Sequence, residues 1–351
     1  MAKLRAAIIG CGFISPAHLG GYAKLDQVEV VGFCDLLTER AEEKAAKFGA
    51  PGAKVFSDYQ KMLDEVKPDI VSVCTENNKH CELTVAALES GAHVLCEKPM
   101  AITGAEADKM VAAAKKAGKK LSVGYQLRYT NEAMLLRREI EAGKLGKVYY
   151  AEAAAVRRRG VPTWGVFLNK EKQGGGPLID IGTHLVDRTL WLMDEYSPIV
   201  SAVGNVYDHL IPLGGYNNGG PWDIGRFEVE DSAFGAVTFK SGATLVVKAT
   251  WAANVKDVDS SLSLLLGING GAELNNSDLV LNGESCNHLW QYKPEAFHND
   301  ESPYDREIAA WINAVENDKE PIVKAEQAAH VVKVLEAIYK SARAGGTAVT
   351  Y

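Results

Sequence analysis

Over about its first 125 residues the chain alternates short β-branched runs with longer helical patterns, and that alternation is the signature of βαβ units closing into a parallel sheet. Strands are expected at 5–9, 28–34, 70–74, 93–96 and 120–123. Helices are expected at 37–48, 57–66, 79–90 and 105–117, with Gly49 and Pro51, Pro68, Gly91 and Gly118 as stops. After Tyr125 the pattern changes. A helix at 131–141 and a strand at 147–157 lead into a glycine-rich loop and a helix from about Pro177. Strands then dominate, at 199–207, 228–239, 244–252 and 261–266, with shorter ones to about 292 and Ser241-Gly242 as a hairpin turn. Helices return at 303–316 and 325–344. The expected fold class is therefore an α/β N-terminal Rossmann domain, residues 1–125, plus an α+β C-terminal domain, residues 126–351, with a mainly antiparallel sheet. The C-terminal helices have the option of packing back on the first domain.

A chain of 351 residues agrees with about two domains. Its apolar runs, such as 4–9 and 70–73, are far shorter than the ~20 residues of a membrane span, so no membrane helix is expected. The N-terminal apolar run ends in a glycine turn rather than a secretory cleavage site. Cys11, Cys34, Cys74, Cys81 and Cys96 sit at the ends of apolar runs without C-x-x-C or metal-ligand spacing, as buried thiols of a reducing compartment do. A cytoplasmic protein without a metal is expected. The net charge of −7 argues against a nucleic-acid partner. Arg157-Arg158-Arg159 is the local exception, read as a solvated strand end or subunit-contact edge in preference to an anion site.

Directly after the first expected strand stands Gly10-Cys11-Gly12-Phe13-Ile14-Ser15. The first glycine permits a tight turn, and the second lets the backbone approach a pyrophosphate at a helix N-terminus. Pro16 suits a first helical position. Asp35 closes the second strand, where an acidic residue accepts hydrogen bonds from the adenosine ribose and repels a 2′-phosphate. This favours NAD over NADP, with Arg40 nearby complicating the choice. Helix N-capping is the structural alternative for Asp35.

Lys98, in Glu97-Lys98-Pro99, lies at the carboxyl end of the fourth expected strand, on the side that faces the ligand crevice in such sheets. There its ammonium stabilises a developing alkoxide; otherwise it is a surface lysine beside a turn proline. In the segment Gly174-Gly175-Gly176-Pro177, continued to Asp187, Asp180 and His184 stand at i and i+4 on one helical face. A histidine beside a carboxylate takes a proton from an alcohol near neutral pH. A surface pair and a metal site are the alternatives, the latter disfavoured because no third ligand shows a recognisable spacing.

These elements, with Thr75-Glu76-Asn77-Asn78-Lys79-His80, Ala92 to Pro99 and the closing segment 335–345, resemble the glucose-fructose oxidoreductase, inositol dehydrogenase and rhizopine catabolism (Gfo/Idh/MocA) family over nearly the whole chain. Glu-Lys-Pro followed by D-x-x-x-H is the specific part. The resemblance implies an open-faced second sheet through which homodimers or homotetramers assemble. It implies Lys98, Asp180 and His184 as the catalytic triad, with His184 the acid/base. It further implies that Gly10, Gly12, Phe13, Ile14, Asp35, Arg40, Thr75, Asn77, His80 and Glu97 surround the cofactor. Gln126 and Arg128 resemble the family's crossover segment, Gln126 toward cofactor and Arg128 toward substrate. Trp164 contacts nicotinamide or sugar, or packs in the core. Glu76, where family members often carry Pro, and Ser15 at the third glycine position are departures.

The expected function is NAD-dependent hydride transfer, NADP being less favoured, with a secondary hydroxyl or ketone of a sugar, cyclitol or related polyol. Two alternatives stand beside it: redox-neutral, NAD-dependent glycoside cleavage, and a non-catalytic NAD-sensing regulator.

Overall fold

The computed structural model describes residues 3–294 and 300–351. Its elements are β1 (Leu4–Ile9), α1 (Ser15–Ala23), β2 (Val28–Cys34), α2 (Thr38–Phe48), β3 (Lys54–Phe56), α3 (Tyr59–Val66), β4 (Ile70–Val73), α4 (His80–Glu89), β5 (His93–Cys96), α5 (Gly104–Ala117) and β6 (Leu121–Val123). Next come α6 (Asn131–Glu141), β7 (Val148–Arg157), α7 (Lys170–Gln173), α8 (Thr183–Met193), β8 (Ile199–Tyr207), β9 (Ser232–Phe239), β10 (Thr244–Thr250), β11 (Asp259–Gly267), β12 (Gly270–Asn275), β13 (Asp278–Ser285) and β14 (His288–Tyr292). The chain closes with α9 (Pro303–Glu316), α10 (Ala325–Arg343) and β15 (Val349–Thr350). It divides into two units, residues 1–129 with 300–329, and residues 130–299 with 330–351.

The first unit holds a six-stranded sheet in the order β3-β2-β1-β4-β5-β6 with every pair parallel. Strand order reverses between β1 and β4, and a crevice opens at such a point outside the carboxyl ends of the strands. Strand β3 was not among the expected strands; three residues are too few to show a period. Ile8, Leu19, Tyr22 and Phe33 share a core cluster with Ile308, Trp311 and Ile312 of α9. A Cβ on Gly21 would lie 2.8 Å from Ile308 Cβ, so glycine there is what lets α1 and α9 pack so closely.

The second unit holds a nine-stranded sheet, β14-β13-β12-β11-β7-β10-β9-β8-β15, in which only β7 and β10 pair parallel. Its two faces differ sharply. Val237, Leu245, Ala153, Leu265, Ala272 and Leu281 are buried. The register row Val203, Ala236, Val246, Glu152, Leu264, Glu273 and Val280 on the opposite face contains no buried residue. Side chains alternate faces along a strand, so this is a sheet covered on one side only. Helix α8 lies on the covered side. Its buried Arg188 donates from Nε to Ser263 Oγ (3.0 Å) and from Nη2 to Ser261 O (2.8 Å). Burial pushes that guanidinium down to about 10.

The strand expected to begin at residue 228 begins instead at Ser232, because the backbone before it pairs elsewhere: Glu228 N donates to Leu168 O at 3.0 Å. The helix expected from Pro177 starts as a π-turn, Leu178–Gly182, that runs into α8.

Candidate active site

In the first unit the glycine turn follows β1 directly. Gly10 adopts φ +92°, and a Cβ there would lie 2.4 Å from Cys74 O, so no other residue fits. A Cβ on Gly12 would meet nothing within 4 Å, which leaves that backbone approachable. Ser15, at the third glycine position, is buried and donates to Gly12 O at 2.8 Å. Helix α1 starts at Ser15 without a side-chain cap from Ile14, and its first N–H groups suit an anion.

Asp35 Oδ2 accepts from Cys11 N at 2.8 Å and Oδ1 from Leu37 N at 2.9 Å. The N-cap alternative is corrected: Leu37 stands at the N-cap position of α2 without a side-chain cap, and Asp35, two residues earlier, bonds the glycine turn and Leu37 N instead. Arg40 is exposed on α2. Phe13, Leu36 and Leu37 are exposed apolar side chains around this edge, and the two leucines carry no motif that would mark them in the sequence. Burial, then the neighbouring Asp35, pushes the Cys11 and Cys34 thiols up to about 12, so both are unreactive hydrophobes.

Glu97 closes β5 in a buried network that motif spacing could not reveal. Its Oε1 lies 2.9 Å from His18 Nε2, and its Oε2 accepts from Lys98 N at 3.1 Å. His18 Nδ1 lies 3.0 Å from Ser72 Oγ, which lies 2.8 Å from Tyr22 OH. Burial alone would raise the Glu97 carboxyl; His18 and Lys98 outweigh it and hold the group below the ordinary carboxylate range. The main chain of half-buried Lys98 is thus tied to an ionised, braced partner.

His80 is fully buried. Its Nδ1 is 2.7 Å from Pro99 O and its Nε2 3.1 Å from Thr75 O, so it braces the Thr75 turn against the Lys98-Pro99 turn. Asn77 is buried in the same turn. Gln126 Nε2 donates to Tyr304 OH at 3.1 Å. Arg128 is fully buried, its Nη1 donating to Ile322 O and Gln327 Oε1, a place inside the unit.

In the second unit Asp180 sits in the π-turn and His184 in the first turn of α8. Asp180 is 6% exposed, and its Oδ2 accepts from Trp251 Nε1 at 2.9 Å. The neighbouring glycines allow close packing: a Cβ on Gly182 would meet Ala249 Cβ at 3.1 Å, and one on Gly176 would meet Glu230 O at 2.2 Å. Glu230 Oε1 accepts from Gly176 N at 2.9 Å and from Tyr339 OH at 2.5 Å. That places a carboxyl at the start of the helical stretch carrying Asp180 and His184, where burial raises it above the ordinary carboxylate range against the lowering effect of the hydrogen bonds it accepts. Trp251, Glu230 and Tyr339 escaped the sequence analysis, since nothing local marks them. Trp164 is 51% exposed and meets Phe167 in a T-shaped contact, ring centroids 5.8 Å apart.

The glycine turn, the uncapped helix start and the exposed apolar edge fit a dinucleotide. Among the described residues no group of three His, Cys, Asp or Glu side chains is arranged to hold a metal, and no helix is long and apolar enough to cross a membrane.

Comparison with known proteins agrees with the geometry. The model of an oxidoreductase family's NAD-binding Rossmann fold matches residues 4–125, and the model of the same family's C-terminal alpha/beta domain matches residues 137–350. The D-glucoside 3-dehydrogenase of Escherichia coli K12 is 36% identical over 98% of this chain and 97% of its own length. Among solved structures, an oxidoreductase domain protein from Kribbella flavida superposes with a TM-score of 0.85 at 25% identity, covering 100% of this chain and 99% of its own. A levoglucosan dehydrogenase in complex with NADH and levoglucosan superposes at 0.82 with 22% identity over 99% of both chains, a likeness of fold.

Proposed function

The chain belongs to the Gfo/Idh/MocA oxidoreductases, nicotinamide-dependent enzymes with this two-part architecture, and from that premise we propose that it reversibly oxidises a secondary hydroxyl of a sugar, cyclitol or related polyol. The D-glucoside 3-dehydrogenase match over almost the full length of both chains favours glycosides within that class. One structural observation carries the reading: the helix bearing His184 is anchored at Asp180 by a buried indole, which prepares an acid/base group to hold one orientation.

In this reading His184 takes the hydroxyl proton, and Asp180 fixes the imidazole. Lys98 donates to the same oxygen and stabilises the charge that develops on it. A bound nicotinamide supplies the one thing these side chains lack, an acceptor for the hydride on the carbinol carbon. Gly10, Gly12, Phe13, Ile14 and the start of α1 would hold its pyrophosphate side. Thr75, Asn77 and Gln126 would flank its nicotinamide side, with Glu97 and His80 bracing from behind. Arg128 supports that crossover segment from within, and Trp164 meets the sugar. Asp35 favours NAD over NADP, since a carboxylate repels a 2′-phosphate.

The open face of the second sheet is the surface through which we expect homodimers or homotetramers to form, and unreactive buried thiols suit a cytoplasmic setting. The test is a panel of methyl glucosides, anhydrosugars and inositols with NAD and NADP, read by absorbance of the reduced cofactor. Turnover that Lys98→Ala abolishes supports the reading; absence of reduced cofactor across the panel overturns it.

A further inference from the structure

Beyond the end of β7 and the start of β11 in the second unit lies a cleft of about 350 Å³, lined in part by Arg157, Val161, Trp164, Asn218, Gly219 and Asp259. We propose that it is a carbohydrate subsite that takes the part of a glycoside that is not oxidised, a second pyranose ring packed against the Trp164 indole. The identity of the oxidised ring rests on the function proposed above; binding in the cleft does not.

The cleft is built. Asn217, 6% exposed, accepts from Val161 N at 2.9 Å and donates to Val161 O at 3.0 Å and Gly220 O at 2.8 Å. Thr163 Oγ1 adds a bond to Gly219 O at 3.0 Å. These bonds lace the 161–164 loop to the 217–220 loop, so the two walls are set before a ligand arrives, and a preorganised wall spares binding the cost of ordering loops. The volume falls within the range of small-molecule sites.

Its chemistry is that of a sugar site. Trp164 leaves half its surface to solvent and meets Phe167 edge to face. A Cβ on Gly219 would sit 3.5 Å from indole Cζ3, and glycine leaves that space open beside the ring. Around the indole stand a guanidinium, an amide and a carboxylate, with Arg157 and Asp259 opposite one another in the β7–β11 register. A pyranose offers weakly positive C–H faces to the negative π face and hydroxyls at its rim, which donors and acceptors together satisfy. A purely apolar ligand would leave the three polar groups without new partners, and an anion would meet Asp259. The cleft is also joined to the acid/base helix. Gly160 N, on its wall, donates to Trp251 O at 2.7 Å, and Trp251 is the residue that anchors Asp180.

The test uses the full chain with two matched pairs, methyl β-D-glucoside with cellobiose and methyl α-D-glucoside with maltose. Wild type is expected to favour the two-ring member by kcat/KM. Gly219→Val fills the space beside the indole, and Asn218→Ala removes a rim amide. Each should cut the ratio of two-ring to one-ring kcat/KM, Gly219→Val by about tenfold, the size of one aromatic packing contact. An unchanged ratio in both variants overturns the subsite. Disaccharide binding without cofactor, followed by tryptophan fluorescence and saturation-transfer NMR, is the second readout. If no sugar is turned over, the functional reading fails while this readout still decides the subsite: binding that Gly219→Val abolishes supports it, and binding absent in wild type or equal in the variant overturns it.

Discussion

Trp251 Nε1 donates to Asp180 Oδ2 at 2.9 Å, with both side chains buried. β10 ends at Thr250, one residue before this tryptophan, so the sheet places the donor and the π-turn places the acceptor. A hydrogen bond to a carboxylate contributes about 1.5–3 kcal/mol, and Trp251→Phe removes it while keeping an aromatic ring, the smaller ring leaving some space at a fully buried position. We expect kcat to fall about 10- to 100-fold, with cofactor affinity by NADH fluorescence unchanged. A wild-type kcat in the variant would remove Asp180 positioning from the mechanism.

Lys98→Met and His184→Asn test the two groups assigned to the substrate oxygen. Loss of an oxyanion donor costs about 10²–10³ in kcat, and loss of a general base about 10²–10⁴. The cofactor should still bind both variants. Steady-state kinetics with equilibrium cofactor titration separates the two effects.

Asp35→Ser should raise the NADP-to-NAD ratio of kcat/KM by at least about tenfold, because it removes the negative charge where a 2′-phosphate would sit. It also loosens the turn, since Cys11 N and Leu37 N lose their acceptors. A lower melting temperature should accompany the change in specificity.

Stability should fall on acidification before the carboxylates titrate. Burial pushes the His93 and His330 imidazoles down from 6.5 to about 4, aided at His93 by Lys119 and Lys120. The unfolded chain then binds more protons, so their contribution is complete above about pH 6.5 and is lost progressively toward pH 4. His330 is wedged beside Tyr196 and Phe239, so His330→Leu preserves packing while removing one proton site. Melting curves from about pH 8 to 4 should show a shallower acid slope in this variant; an identical slope would refute the assignment.

Val203 and Phe234 are 43% and 39% exposed on the open sheet face. Replacing both with Glu should leave the unit folded and reduce the mass measured by light scattering to that of one chain. A mass unchanged by the double variant would place the subunit contact elsewhere.

The expected first-unit strands lie close to those observed because each parallel strand is a continuous apolar run bounded by turn residues. The helical stretch that carries Asp180 and His184 was legible from Pro177 at its start, though its π-turn was not. His18 was not legible: its partner Glu97 comes from the turn after β5, far along the chain, and a lone histidine in an apolar helix looks like any core residue. Arg128 shows the opposite case. The family resemblance implies a substrate contact for it, while the side chain is fully buried and bonds Ile322 O and Gln327 Oε1 from the far end of the chain.

By itself the sequence determined what local spacing can encode: the parallel sheet with its glycine turn, the acidic end of β2, Lys98 after β5, and a helical stretch that carries Asp180 and His184. Tertiary structure alone decided that α9 returns to the first unit, that Trp251 anchors Asp180, that Glu230 and Tyr339 support the start of that helix, and that one sheet face stays bare. A hydrogen bond or buried contact between residues far apart in the chain leaves no period to read, and whether a face is covered depends on what the rest of the chain brings to it.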